Sequence, residues 1–133
     1  MAIILDLESK LNSSSVDKKL IELIKIRVSQ INGCAFCIGL HTKDARKFGI
    51  REDEIYLLSA WRETNIYDDR TKIALELSEN VTEVAKYGVK DDLYQRVRSF
   101  FSEVEYVDLV LIINQINMWN RLSIAMGNEY NRG

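Results

Sequence analysis

No proline occurs anywhere in the 133 residues, and glycine appears only six times. A chain of β-strands must reverse every few residues, and Gly and Pro supply most such reversals. Their scarcity points to helices, which need breaking far less often. Apolar residues make up 47% and charged residues 29%, a globular composition rather than a disordered one. The length suits one domain over 1–133 with an ordinary core. Eighteen Lys plus Arg stand against twenty Asp plus Glu, a net charge of −2. That lacks the basic excess expected of a partner for nucleic acid or anionic lipid. No run of 18 apolar residues is present, so no membrane-spanning helix is expected. The opening Met1–Glu8 lacks a basic leader and meets an acid at Asp6, so the expected location is cytoplasmic. There, two cysteines three positions apart are poor candidates for a structural staple.

The first dozen residues read as an arm, with Ile3, Ile4, Leu5 and Leu7 available for docking. Asn12-Ser13-Ser14-Ser15 offers helix-starting chemistry. Leu20, Leu23, Ile24, Val28 and Ile31 then recur at helical spacing over about 16–31, opposite a polar stripe of Lys18, Glu22, Lys25, Ser29 and Asn32. Asn32-Gly33 is a plausible stop. Further helices are expected over 34–48, 52–63, from Asp68 or Asp69 to about Val81, and from Asp91 to about Phe101. Ser102-Glu103-Val104-Glu105 has the capping-box pattern and opens the longest helix, to about Gly127. The expectation is an all-α chain of about six helices.

The chemistry-bearing stretch is Gly33-Cys34-Ala35-Phe36-Cys37-Ile38-Gly39-Leu40-His41. On a helix, positions 34, 37 and 41 share one face, and His41 leans back over Cys37. Unpaired amides at a helix start favour a thiolate, and CxxC spacing lets two sulfurs close a disulfide. A thiolate, a second thiol and the chain's single histidine are the parts of a thiol redox centre. Other readings stand beside it. A zinc site usually takes four ligands, and two Cys with one His would need a carboxylate or a second subunit. Two cysteines can also simply pack in a helical core. Glu22, among Lys18, Lys19 and Lys25, ordinarily reads as a solvated residue. If the first two of these helices fold back around Gly33, however, Glu22 and His41 reach similar depths, roughly 15 and 10 Å from the turn. A carboxylate there can orient the imidazole.

Residues Leu20 to Cys37, continuing through His41-Thr42-Lys43-Asp44-Ala45-Arg46, resemble the core of the AhpD-like alkylhydroperoxidases of the carboxymuconolactone decarboxylase superfamily. The similarity extends through Leu58-Ser59-Ala60-Trp61-Arg62 and Ile116-Asn117-Met118-Trp119-Asn120-Arg121. It covers about residues 16–125. The resemblance implies an AhpD-like helical fold assembled as homo-trimers or homo-hexamers. It implies a thiol-dependent peroxidase that reduces a hydroperoxide substrate and is recharged by an external dithiol reductant. Cys37 would be the peroxide-reactive cysteine, Cys34 its disulfide partner, and Glu22 and His41 the proton relay. No cofactor or metal is expected for that chemistry. Phe36 stands where the best-known members often carry a second histidine, leaving a simpler relay. The decarboxylase branch lacks the paired cysteines, which favours redox chemistry here. The alternative is a non-catalytic redox-sensing or scaffold oligomer using the same CxxC.

Other residues read as structural. Asn114, Asn117 and Asn120 recur every three positions, and such a stripe most often makes hydrogen bonds within a core or interface. Trp61 and Trp119 read as anchors rather than ligand platforms. Lys43 and Arg46 sit where ordinary surface charges sit. The succession Leu109 to Ile113 is more apolar surface than a small monomer easily covers.

Overall fold

One central helix organises the fold, and its burial explains most of what surrounds it. The computed structural model describes residues 2–11 and 14–132. Every secondary-structure element among them is helical: α1 (Ala2–Leu11), α2 (Lys18–Asn32), α3 (Ala35–Lys47), α4 (Glu52–Tyr56), a 3-10 helix (Leu58–Glu63), α5 (Asp69–Thr82), α6 (Val84–Tyr87), α7 (Asp91–Arg98) and α8 (Glu103–Ala125).

Helix α2 carries two apolar faces. Leu20, Ile24 and Val28 pack with Ile73 and Leu77 of α5, Val97 of α7, and Ile112 and Ile116 of α8. Leu23 and Ile26 pack instead with Ala45 of α3, Ile55 of α4, and Leu58 and Trp61 of the 3-10 helix. Each such side chain, fully buried, contributes about 1.5–3 kcal/mol. Two cores therefore meet on one helix. Most of the polar stripe expected to face solvent is covered as a consequence: Glu22, Lys25 and Ser29 are buried and Asn32 is half-buried, whereas Lys18 remains exposed.

Hydrogen bonds account for the burial of Ser29, Asn117 and Asn120. Ser29 Oγ donates to Lys25 O at 2.7 Å and accepts from Asn120 Nδ2 at 2.9 Å. Asn32 Nδ2 donates to Asn117 Oδ1 and Asn120 Oδ1 at 2.9 and 3.0 Å. Asn117 Nδ2 donates in turn to Thr82 Oγ1 and Ile113 O. Asn117 and Asn120 are thus structural ties between α2, α5 and α8, as the stripe suggested, while Asn114 is exposed.

Several local expectations change. The arm over the first dozen residues is helix α1, packing Leu7 and Leu11 against the first core. Asn12 and Ser13 lie outside the described residues, and the side chain that caps α2 is Asp17, accepting from Leu20 N at 3.3 Å. The single helix expected over 52–63 is broken after Tyr56 and continues as 3-10, with Ala60 at non-helical φ −122°, ψ 32°. A short extra helix, α6, follows α5. Asp68 caps α5 through Thr71 N, but Asp91 is the first residue of α7 rather than its cap. The capping box at Ser102 and Glu105 is formed in both directions, at 3.1 and 2.9 Å. Gly33, at φ 71°, ends α2 in the left-handed conformation that glycine adopts without a Cβ penalty. That tight reversal folds α3 back along α2.

Candidate functional site

Cys34 is the N-cap of α3, in extended conformation, and Cys37 sits in the first turn. The two are joined as a disulfide with their Cα atoms 5.3 Å apart, and Cys37 N donates to Cys34 Sγ at 3.3 Å. Sulfur therefore occupies the place where a Ser or Asp oxygen usually satisfies a helix start. Neither residue is open to bulk solvent, at 2% and 4% exposure. Their surroundings differ, however. Cys37 lines a pocket of about 640 Å³; Cys34 is not part of its lining.

Three helices, with Met126 and Asn128 just after the last of them, build this pocket. Leu5 and Glu8 come from α1; Phe36, Cys37, Leu40 and His41 from α3; Trp119, Leu122 and Ser123 from α8. Its walls are mostly apolar, and its size falls within the range of ordinary small-molecule sites. Trp119 accordingly does more than anchor the core: one side packs on it and the other faces Cys37's pocket. Trp61 is the buried anchor that was expected. Phe36 and Leu40 follow from the sequence as the residues flanking Cys37 on its helix face. The α8 contribution has no local signal, because it depends on how α8 crosses α3.

His41 stands one turn beyond Cys37 on the same face, lining the same pocket. Behind it, Glu22 of α2 places Oε2 at 3.4 Å from His41 Nδ1. The depth estimate along the hairpin thus brings the two together, as expected. Yet the contact misses hydrogen-bond geometry, leaving both atoms buried without a hydrogen-bond partner. Buried polar atoms normally have one. Lys25 Nζ lies 3.8 Å from the other oxygen, Glu22 Oε1, too long for a hydrogen bond. A small cleft of about 40 Å³, lined by Lys18, Ile21, Glu22, Lys25 and Phe48, opens on this side, wide enough for water. Glu22 therefore sits between solvent and the imidazole. Lys25 was not foreseen as part of the site; its charge reads as surface until α2 is known to be central.

The tail after α8 crosses the same helix. A Cβ added at Gly39 would collide with the Tyr130 ring, and Lys43 Nζ lies 5.7 Å from that ring's centroid. This close approach accounts for a glycine in a helix interior, where it ordinarily costs about 1 kcal/mol. Arg46 pairs with Glu52 on the surface.

Comparison with known proteins places this geometry. The sequence profile of the carboxymuconolactone decarboxylase family matches residues 1–80, which contain Glu22, Cys34, Cys37 and His41. The uncharacterized protein YdfG of Bacillus subtilis (strain 168) is 58% identical over 129 residues, 97% of this chain and 88% of its own length. A crystal structure of an Agrobacterium tumefaciens protein of unknown function, proposed to be the antioxidant defence protein AhpD, superposes with TM-score 0.95 at 36% identity. That match covers 99% of this chain and 90% of the other. An uncharacterized peroxidase-related protein from Silicibacter sp. TM1040 gives TM-score 0.87 at 21% identity, over 98% and 70% of the two chains, a likeness of fold.

Proposed function

This chain belongs to the carboxymuconolactone decarboxylase family, within its AhpD-like group, and from that premise we propose that it is a thiol-dependent peroxidase. The observation that carries the reading is the arrangement around Cys37: a paired cysteine facing an apolar pocket, an imidazole one turn away, and a buried carboxylate behind it.

The disulfide is the oxidised resting form, and an external dithiol reduces it to two thiols. Cys37 then attacks the terminal oxygen of a hydroperoxide. The S–O bond forms as the O–O bond breaks; Cys37 becomes a sulfenic acid and the leaving alkoxide takes a proton to give an alcohol. His41 accepts the Cys37 thiol proton and returns one to that oxygen. Glu22 orients the ring and exchanges protons with solvent through the cleft beside Lys25. The Cys34 thiol next attacks Cys37 Sγ, expelling water and restoring the disulfide. Cys37 is assigned the attack because it faces the pocket, although a helix-start field alone would favour Cys34. The apolar walls suit a hydroperoxide with a hydrocarbon body.

The assembly is a homo-trimer or homo-hexamer, and the location is the cytoplasm. Val104, Val107, Leu111 and Met118 form an exposed apolar stripe on α8 that supports self-association. Among the described residues no helix is long and apolar enough to cross a membrane. Sedimentation of the native protein tests the assembly.

Turnover tests the function. With an organic hydroperoxide and excess dithiol, consumption is expected to run far beyond one equivalent per chain. A halt at one equivalent would identify a redox sensor instead.

A further inference from the structure

The peroxidase reading leaves Asp44 unused. A carboxylate oxygen of Glu22, an imidazole nitrogen of His41 and a carboxylate oxygen of Asp44 all lie within 4.8 Å of one another. His41 and Asp44 are three residues apart on α3, and Glu22 faces them from α2. Helical bundles build metal centres in this way, from an i, i+3 pair on one helix and a carboxylate on its neighbour. A second observation points the same way: Glu22 Oε2 and His41 Nδ1 are buried, face each other and lack hydrogen-bond partners.

We propose that Glu22, His41 and Asp44 form a binding site for a divalent transition ion of the zinc type, and that the bound ion inhibits turnover. Two carboxylates and one imidazole supply three ligands, and water completes a tetrahedron. Tetrahedral ligands around zinc stand roughly 3.3 Å apart, so the three must close in modestly. Asp44 is only half-buried and can make that adjustment. Lys25 approaches Glu22 Oε1 and leaves Oε2 to the ion; Lys47, 3.9 Å from Asp44 Oδ1, is largely in solvent and free to swing away. Calcium and magnesium fit poorly, since they call for more oxygen ligands than the site offers. An ion held here takes the imidazole out of proton transfer. The inhibitory half of the proposal rests on the peroxidase reading; the binding half does not.

The test begins with the oxidised protein, whose sulfurs are locked in the disulfide. Zinc is titrated against a chromophoric chelator, alongside the Cys34→Ser/Cys37→Ser double variant and Asp44→Asn. One zinc per chain is expected in the wild type and the double variant. Asp44→Asn should bind about tenfold more weakly or worse. In turnover assays, with each protein referred to its own zinc-free rate, Asp44→Asn should need about tenfold more zinc for half-inhibition. No binding by the oxidised protein, or equal binding by Asp44→Asn, overturns the site. Equal inhibition of Asp44→Asn places the ion on the reduced thiols and overturns the regulatory half. Asp44-dependent binding in a protein without turnover supports the site and overturns the peroxidase reading alone.

Discussion

Two glutamates on adjacent helices are largely buried in this molecule, and they are treated in opposite ways. Glu79 of α5 is bonded on both oxygens: Arg27 Nε and Trp61 Nε1 each donate to Oε2 at 3.0 Å, and Arg62 Nη1 donates to Oε1 at 2.8 Å. Burial pushes its carboxyl up, but the donated bonds from Trp61, Arg62 and Arg27 outweigh that and hold it below the usual range. Glu22 of α2 has an imidazole at 3.4 Å and an ammonium at 3.8 Å, with no hydrogen bond on Oε2. Glu79 spends both its oxygens on tying α2, α5 and the 3-10 helix together. Glu22 keeps a free oxygen toward the only histidine. A carboxylate held by three donors, two of them guanidinium groups, resists protonation, whereas one left short of donors can take part in chemistry.

That contrast predicts opposite consequences at the two glutamates and their surroundings. The largest effect belongs to the sulfur itself: Cys37→Ser should lower peroxide turnover by about 10³-fold or more, with the thermal midpoint little changed. His41→Asn should cost about 10²–10⁴-fold in kcat, measured with saturating dithiol. Glu22→Gln should cost less, about 10–10²-fold, because the imidazole remains; KM should stay near its wild-type value, and folding stability should not fall.

Glu79→Gln should do the reverse. Turnover per folded chain is unchanged, while denaturant unfolding reports a loss of about 2 kcal/mol as charged donors lose their partner. The same contrast is readable with pH. Because Glu79's folded pKa lies below its unfolded value near 4.5, its stabilisation is fully present above about pH 5. It is lost as pH falls through the folded value. Glu79→Gln should therefore flatten the acid limb of the stability profile. The smallest effect is at the tail: Gly39→Ala gains helix propensity but displaces Tyr130, for a net change within about 1 kcal/mol. Protease cleavage at Tyr130 would report the loosened tail first.

Much of this was legible in the sequence. The absence of proline, Gly33 and the Ser102 capping box located most helices, because caps and breaks act locally. The 34, 37, 41 spacing fixed one face of α3 by helix geometry alone. Depth along the α2–α3 hairpin singled out Glu22 as His41's neighbour, but that Glu22 is left short of donors while Glu79 is bonded was not legible that way. Each is a charged residue on an amphipathic helix, and only the packing of α3, α5 and α8 onto α2 buries both and decides which is satisfied. Trp119, Lys25 and Asp44 were missed for the same reason: their roles depend on crossings between helices. The break at Leu57 escaped too, since Leu, Ser and Ala are all compatible with a continuous helix.

The central claim is that Cys37, served by His41 and Glu22, is where peroxide oxygen lands. Reduced Cys34→Ser, treated with one equivalent of an organic hydroperoxide and a sulfenic-acid trap, tests it most directly by peptide mass. The account predicts one trapped adduct per chain, on Cys37, formed much more slowly in the Cys34→Ser/His41→Asn double variant. An unmodified Cys37, or Cys37→Ser protein that still turns over peroxide through Cys34, would contradict it.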